Sequence, residues 1–223
     1  IGHFDVIVTN PPFGSKIPIK DSAILNQFKL ARIWVNNDGN WVMTDRMQSS
    51  VSPEILFIER CWQFLRPGGR MGIVLPDALL GSPGTGYIRE WMIKHTKIIA
   101  SIDLHEDTFQ PRNGTQTSVL ILQKKSAEKI VKEETTGVMA DYNIFMAIVD
   151  KIGHDKRGNT LFKRDKEGNE ILVPETRNVL KVDEISSGDK IVHLEHREKI
   201  VDDQTILIPS IFNQWKNREG VIW

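Results

Sequence analysis

The sequence predicts an α/β fold with a largely parallel sheet, on the basis of three observations. Four short apolar runs are typical of strands buried on both faces of a sheet, at residues 4–9, 70–76, 97–104 and 117–123. Helical patterns stand between them, of which residues 52–66 form the clearest. Strand and helix therefore alternate along the chain, and 223 residues suffice for one good-sized domain or one domain with an extension.

Local signals set the expected boundaries. Ser52 and Pro53 suit the start of the long helix, and Pro67-Gly68-Gly69 is expected to end it, so that a strand follows from Arg70. A second helix is expected within residues 20–34. Residues 33–44 predict a hairpin with its turn at 37–39, across which Trp34 and Trp41 would pack.

The character of the chain changes after Lys124. We expect an α/β domain over residues 1–125 and a C-terminal extension over 126–223, with a β-hairpin, a short strand and a terminal amphipathic helix. Residues 155–159 and 165–169 are near-repeats, for which two tight turns are favoured over calcium binding. His193 and His196 lack a metal-binding pattern, so a solvated helix or loop face is favoured and no metal is expected.

Composition restricts the function further. The chain holds 29 basic and 29 acidic residues, whereas a domain that binds nucleic acid alone usually has a basic surplus. If it acts on nucleic acid, other segments or subunits are expected to bind much of the phosphate. The single cysteine, Cys61, fits a reducing cytoplasm, and no apolar run is long enough for a membrane span.

Asn10-Pro11-Pro12-Phe13 is an unusual exit from the first strand. The residue before a proline is held extended, and proline has no N–H, so the carbonyls of Asn10 and Pro11 stay free to accept hydrogen bonds. In open α/β sheets this end of the strands binds ligands. Phe13 adds a flat apolar surface beside these acceptors. A merely rigid strand exit is the simpler alternative.

Such a set of groups suits an exocyclic amine on a flat ring. The side-chain oxygen of Asn10 and the carbonyl of Pro11 can accept both N–H bonds of an adenine amino group, and Phe13 can stack on a base that has left the duplex. The expected chemistry is in-line methyl transfer from a sulfonium donor, with catalysis by positioning more than by a strong base.

Two stretches resemble a known family. "DVIVTNPPF" is similar to the catalytic motif of N6-adenine DNA methyltransferases, and "FLRPGGRMGIVLPDALL" resembles the helix, turn and strand that follow it. Residues 4–125 in particular look like modification subunits of type I restriction-modification systems. The resemblance implies a Rossmann-like fold, S-adenosylmethionine as cofactor, DNA adenine as acceptor, and specificity and restriction subunits as partners.

The resemblance also implies site residues. Asn10, Pro11, Pro12 and Phe13 match the catalytic tetrad, and Asp77 stands where the family places a residue at the end of the next strand. For Asp77, capping of a loop stays open as an alternative. Arg112 and Asn113 are candidate DNA contacts, although a plain loop connecting two strands explains them as well.

The departure from the family concerns the cofactor. In the family, a glycine-rich loop and an acidic residue that bind S-adenosylmethionine precede the Asn-Pro-Pro-Phe motif, but only nine residues precede it here. "GSPGTG" (81–86) follows a later strand and is expected to form a flexible rim over the target base. We therefore expect a piece of a larger protein that holds the target-base half of the site, inactive alone, with Asn10 at the border of the cofactor site. The apolar edge of strand 4–9 would then be exposed and would favour self-association.

Two other functions stay open from the sequence. Asn-Pro-Pro followed by an aromatic residue also resembles enzymes that methylate glutamine in proteins or amines in structured RNA. A third possibility is a non-catalytic scaffold that contacts a specificity subunit through the residues after Lys124.

Overall fold

A five-stranded sheet forms the centre of the molecule. The computed structural model describes residues 2–14, 17–173, 180–187 and 190–220, and for residues 180–187 and 190–197 it describes the backbone alone. The strands of the sheet stand in the order β1-β4-β6-β5-β7. They are β1 (Phe4–Thr9), β4 (Leu65–Pro76), β5 (Thr96–Asp103), β6 (Thr117–Lys124) and β7 (Phe145–Ile148). Two separate hairpins are formed by β2 (Arg32–Asn37) with β3 (Asn40–Met47) and by β8 (Leu180–Ser187) with β9 (Lys190–Arg197).

The direction of the strands confirms the predicted α/β class. β1 is parallel to β4 and β5 is parallel to β7, whereas β6 is antiparallel to both of its neighbours, β4 and β5. Four of the five strands therefore run in the same direction, with β6 reversed between them. The helices are α1 (Ser22–Leu25), α2 (Pro53–Phe64), α3 (Asp77–Gly81), α4 (Gly86–His95), α5 (Ala127–Thr136) and α6 (Ile208–Arg218).

The main core lies on one face of this sheet, against α2 and α4. Alternate residues of β4 and β6 face it, because successive side chains of a strand point to opposite faces. Its fully buried members include Met71, Ile73, Leu75 and Leu122 from the strands, with Ile58 from α2 and Ile88 from α4. On the other face α6 covers the β5–β7 side, where Phe212 and Trp215 pack on Phe145.

Three boundaries differ from the sequence expectations. α1 has four residues only, because the carboxylate of Glu59 binds the backbone N–H groups of Lys29 and Leu30 and holds the following chain in turns. α2 ends at Phe64, and β4 begins at Leu65, so that Pro67-Gly68-Gly69 lies within the strand. There Gly68 has φ of 78° and the β1–β4 register shifts.

The "GSPGTG" segment forms short helical turns instead of an open loop, and its role as a flexible rim over the target base stays a prediction. α3 ends at Gly81, a 3-10 turn spans Pro83–Thr85, and α4 begins at Gly86. Nη1 of Arg89 donates hydrogen bonds to the Ser82 carbonyl at 2.9 Å and to the Thr85 hydroxyl at 2.9 Å. The segment is therefore a series of short helical turns fixed by one arginine.

The β2–β3 hairpin is confirmed, but its tryptophans are not directly opposite. Asp38 and Gly39 form the two-residue turn with φ of 50° and 93°, as a type I′ turn requires. Trp34 is paired with Met43 rather than with Trp41. Both indoles instead pack on the ring of Tyr87, at centroid distances of 5.8 Å.

The chain after Lys124 contributes to the central sheet. β7 pairs with β5, and no strand was predicted there. The tight turns at 155–158 and 165–168 are present, with Asp155 and Asp165 accepting from backbone N–H groups of their own turns. The predicted short strand before α6 is a 3-10 turn at Thr205–Leu207. The division at residue 125 stays a prediction.

The two histidines and the expected lack of a membrane span complete the comparison with the sequence. His193 and His196 lie in strand β9, not on a helix or loop, and their side chains fall outside the described part of the structure. Within the described residues, no helix has the length and apolar character needed to cross a membrane.

Candidate functional site

The ends of β1 and β4 bring two of the candidate residues to one edge of the sheet. Thr9, the last residue of β1, is paired in parallel with Ile73 of β4. Asn10 follows Thr9, and Asp77 follows Pro76 at the end of β4 and begins α3. Both residues therefore stand at the carboxyl end of parallel neighbouring strands, which is where open α/β sheets bind ligands.

The four residues of the Asn10–Phe13 motif differ in burial. Pro11 is buried, Phe13 is half-buried, and Asn10 and Pro12 are exposed. The side chain of Asn10 makes no hydrogen bond with any residue that the structure describes. A buried proline thus anchors the motif, while the Asn10 amide stays available to a ligand.

The ring of Phe13 meets the ring of Phe109. Their centroids are 6.2 Å apart and their planes are inclined at 71°, an edge-to-face contact. Phe109 belongs to the connection between β5 and β6. This contact ties the motif to a second loop at the same edge of the sheet.

The chain after Phe13 is held by helix α2. The amide N–H of Gly14 donates a hydrogen bond to Oε2 of Glu54 at 3.2 Å. Glu54 lies in the first turn of α2 and is only 7% exposed. Gly14 has φ of 130°, a conformation that favours glycine.

Asp77 takes part in a hydrogen-bonded contact with β6. The Ser118 hydroxyl donates to Oδ1 of Asp77 at 2.8 Å, and the Asp77 amide donates to the Gln116 carbonyl at 3.0 Å. Partial burial raises the pKa of the Asp77 carboxyl; the Ser118 hydrogen bond opposes this shift and the charge of Asp103 adds to it. The carboxylate joins the ends of β4 and β6, so its binding of substrate stays a prediction beside the loop-capping alternative.

Arg112 and Asn113 lie in the same turn as Phe109, within the connection between β5 and β6. Their amides donate to the Phe109 carbonyl at 3.1 Å and 2.9 Å. Oδ1 of Asn113 accepts from the amide and the hydroxyl of Thr115, at 3.0 Å and 2.8 Å, so this side chain shapes its own loop. Arg112 is exposed, and its guanidinium forms no ion pair with a described residue. The loop places a cation near the motif, and its contact with DNA stays a prediction.

Sequence reasoning missed Phe109, Glu54 and Ser118 as parts of this site. Phe109 stands in a connection without periodicity, and its partner is far away in the chain. An acidic residue in the first turn of a helix is expected for the helix dipole alone. The sequence therefore gives no reason to expect a hydrogen bond from Gly14 to Glu54. No local signal could have identified either contact.

Comparisons with known proteins point to one family. The sequence model described as N-6 DNA Methylase matches residues 1–167. Among curated proteins, none matches the chain.

Three solved structures are similar at low identity. A protein from Listeria monocytogenes, provisionally assigned as a class I S-adenosylmethionine-dependent methyltransferase, has 21% identity and a TM-score of 0.48, over 66% of this chain and 37% of that one. The M protein of the type I restriction enzyme EcoKI has 23% identity and a TM-score of 0.38, over 57% and 22%. A modification subunit of a type I restriction enzyme from Vibrio vulnificus YJ016, also a provisional assignment, has 15% identity and a TM-score of 0.41, over 91% and 39%. The chain thus spans between about a fifth and two fifths of the length of these proteins.

The groove next to the end of β1 does not fit S-adenosylmethionine. A groove of about 270 Å³ runs along β1, β4 and β6, and it is lined mainly by valine and isoleucine side chains, with Thr9 and Arg70 as its polar members. The amino-acid end of the cofactor carries both charges and needs polar partners for each. The groove offers no acidic group, so it does not fit the cofactor. Among the described residues there is also no group of three or more potential metal ligands.

Proposed function

Since the chain belongs to the N-6 DNA methylase family, we propose that Asn10, Pro11, Pro12 and Phe13 bind the target adenine of DNA for methylation at N6, with S-adenosylmethionine as donor. One observation carries the proposal: the exposed Asn10 amide stands at the carboxyl end of β1 without a hydrogen bond to any described residue, and it is followed by a buried proline and an aromatic ring fixed by Phe109. The chain is then the part of a restriction-modification methyltransferase subunit that holds the base.

The acceptors of the motif account for the recognition of an amino group. The Asn10 side-chain oxygen and the Pro11 carbonyl accept the two N–H bonds of the adenine amino group. Pro11 and Pro12 lack N–H groups, so no backbone donor competes at these positions. Two acceptors hold the nitrogen in place and favour a more tetrahedral, nucleophilic geometry. The contribution of this chain is therefore positioning of the acceptor.

Phe13 recognises the ring of the base. It is half-buried, so part of its surface remains open to stacking, while Phe109 fixes its orientation. A stacked base is worth about 1–3 kcal/mol, and the stacking requires that adenine leaves the duplex. Asp77, Arg112 and Asn113 line the same edge of the sheet as candidate substrate contacts.

The donor site is proposed to depend on further residues. Because the groove next to the end of β1 does not fit S-adenosylmethionine, we expect this chain alone to bind the cofactor weakly and to have no methylation activity. With no excess of basic residues, it would rely on companion subunits for specificity and for much of the contact with DNA phosphates.

Self-association is proposed for the edge of the sheet. β1 is an outer strand, and Val8 and Val6 are 82% and 60% exposed. Along its outer edge β1 pairs with no strand that the structure describes. A long apolar edge with free backbone groups is a template for pairing with a second copy.

The product of methylation tests this function. The full-length natural protein would be incubated with S-adenosylmethionine carrying a labelled methyl group, together with unmethylated DNA, structured RNA or a glutamine-bearing protein. We expect label in N6-methyladenine of DNA. Label in glutamine or in RNA would assign the chain to one of the alternative methyltransferases, and no label in any acceptor would favour the scaffold.

A further inference from the structure

The two buried glutamates of α2 hold two different segments of the chain. Glu59 binds the amides of Lys29 and Leu30, at 3.0 Å and 2.8 Å, at the base of the β2–β3 hairpin. Glu54 binds the amide of Gly14, directly after the Asn10–Phe13 motif. The contact of Glu54 therefore fixes a segment whose position matters for the proposed site rather than for the core.

We propose that Glu54 is a positioning residue of the target-base site, acting through the amide of Gly14 on Phe13 and Asn10. The expected effect on methyl transfer rests on the proposed function, whereas the hydrogen bond between Glu54 and Gly14 does not depend on it. A buried carboxylate gains more from an N–H donor than an exposed one does, because it has lost its water.

The anchoring of the motif depends on this contact for a physical reason. Pro11 and Pro12 have no N–H, so residues 10–14 carry only three amides, on Asn10, Phe13 and Gly14. Backbone hydrogen bonds can therefore hold the motif at few points. The Phe13–Phe109 contact restrains the ring, and the Glu54–Gly14 bond restrains the backbone that carries it.

If Glu54 acted only by stabilising helix α2, its removal would have the same effect as removing another acidic residue from the first turn of a helix. Glu54 is the second residue of α2, where a negative charge also stabilises the helix dipole. Glu128 is the second residue of α5 and is exposed, and it interacts with no residue of the motif. Glu128→Ala therefore removes the same kind of dipole interaction without changing the site and serves as the matched control.

Amide hydrogen exchange of this chain tests the anchor. In Glu54→Ala we expect exchange at Gly14 to rise about tenfold or more, since its hydrogen bond to the Glu54 carboxylate is lost. Glu54→Gln retains an acceptor oxygen and should restore most of the protection. Glu128→Ala should leave it unchanged. Equal exchange in wild type and Glu54→Ala would overturn the proposal.

Methyl transfer by the full-length protein then tests the consequence. We expect kcat to fall by roughly tenfold to a hundredfold in Glu54→Ala, with a much smaller change in KM for DNA, because displacement of a positioned group slows the chemical step. Equal losses in Glu54→Ala and Glu128→Ala would contradict a positioning role. If wild type forms no N6-methyladenine while Gly14 protection still depends on Glu54, the proposed function fails and the anchor stands.

Discussion

The rings of Phe13 and Phe109 meet edge to face with their centroids 6.2 Å apart, and they join two loops that leave different strands of the sheet. One loop follows β1 and the other connects β5 with β6. The aromatic residue of the motif is thus supported by a second loop.

The Phe13–Phe109 contact predicts a measurable coupling. An aromatic pair contributes about 0.5–1.5 kcal/mol beyond burial, so the double-mutant cycle of Phe13→Ala and Phe109→Ala should give about 1 kcal/mol of coupling in urea unfolding. The control cycle pairs Phe13→Ala with Phe57→Ala, which removes an exposed ring of α2. Equal coupling free energies in the two cycles would show that the Phe13–Phe109 contact does not stabilise the fold.

Substitution of Glu59, which lies away from the site, is expected to lower the free energy of unfolding strongly. Its carboxylate is 3% exposed and accepts from the amides of Lys29 and Leu30. Glu59→Ala leaves these donors without their partner and should lower the free energy of unfolding by about 3 kcal/mol, whereas Glu59→Gln, which retains one acceptor, should cost less. Urea unfolding provides the measurement, with the exposed Glu106→Ala as control. A loss below about 0.5 kcal/mol for Glu59→Ala would contradict this role.

His95 predicts how stability depends on pH. Burial lowers the pKa of its imidazole from 6.5 to about 4, with repulsion by Lys29 and Lys94 in the same direction; the Trp91 carbonyl and Glu134 oppose the shift. In the unfolded chain this histidine takes up a proton below pH 6.5, whereas in the fold it stays neutral until about pH 4. Stability should therefore fall as pH drops through this window, by up to about 3 kcal/mol.

Comparison with a variant isolates this contribution from that of the carboxylates. His95→Phe keeps a ring beside Trp91 and removes the titrating group, so the stability difference between wild type and variant should change between pH 6.5 and pH 4. Urea unfolding at several pH values measures it, with the exposed His3→Asn as reference. A constant difference between wild type and His95→Phe would show that His95 does not titrate as described.

Val8 predicts the route of self-association. A charge at this exposed position of β1 opposes pairing of the strand edge with a second copy. Wild type should form dimers at rising concentration in sedimentation velocity, and Val8→Lys should stay monomeric. Ile148→Lys is the control, since Ile148 is 71% exposed on β7 at the other end of the sheet. Wild-type protein that remains monomeric at all concentrations would contradict the proposal.

The sequence predicted the local features of the fold well. Strand β1 has the predicted bounds, and the turn of the β2–β3 hairpin is at Asp38-Gly39, because β-branched runs and an Asp-Gly turn act through neighbouring residues. The short strand β7 was missed because its four residues follow a polar stretch and depend on pairing with β5.

The motif of the candidate site could be identified from the sequence, whereas the contacts that support it could not. Asn10 and Phe13 could be identified from the strand exit itself. Glu54 and Phe109 reach the motif from distant parts of the chain, and their local context already has a sufficient explanation in a helix start or a loop. Tertiary contacts of this kind leave no periodic pattern in one sequence.

Asn10 offers the most direct test of the central claim, that the exposed amide at the end of β1 holds the amino group of the target adenine. The measurement is the single-turnover rate of N6-methyladenine formation by the full-length natural protein, with Asn10→Ala compared with wild type and with Asn40→Ala on the hairpin. We expect a loss of roughly a hundredfold in Asn10→Ala, since one of two acceptors that position the nitrogen is removed, and no loss in Asn40→Ala. A wild-type rate in Asn10→Ala would contradict the account.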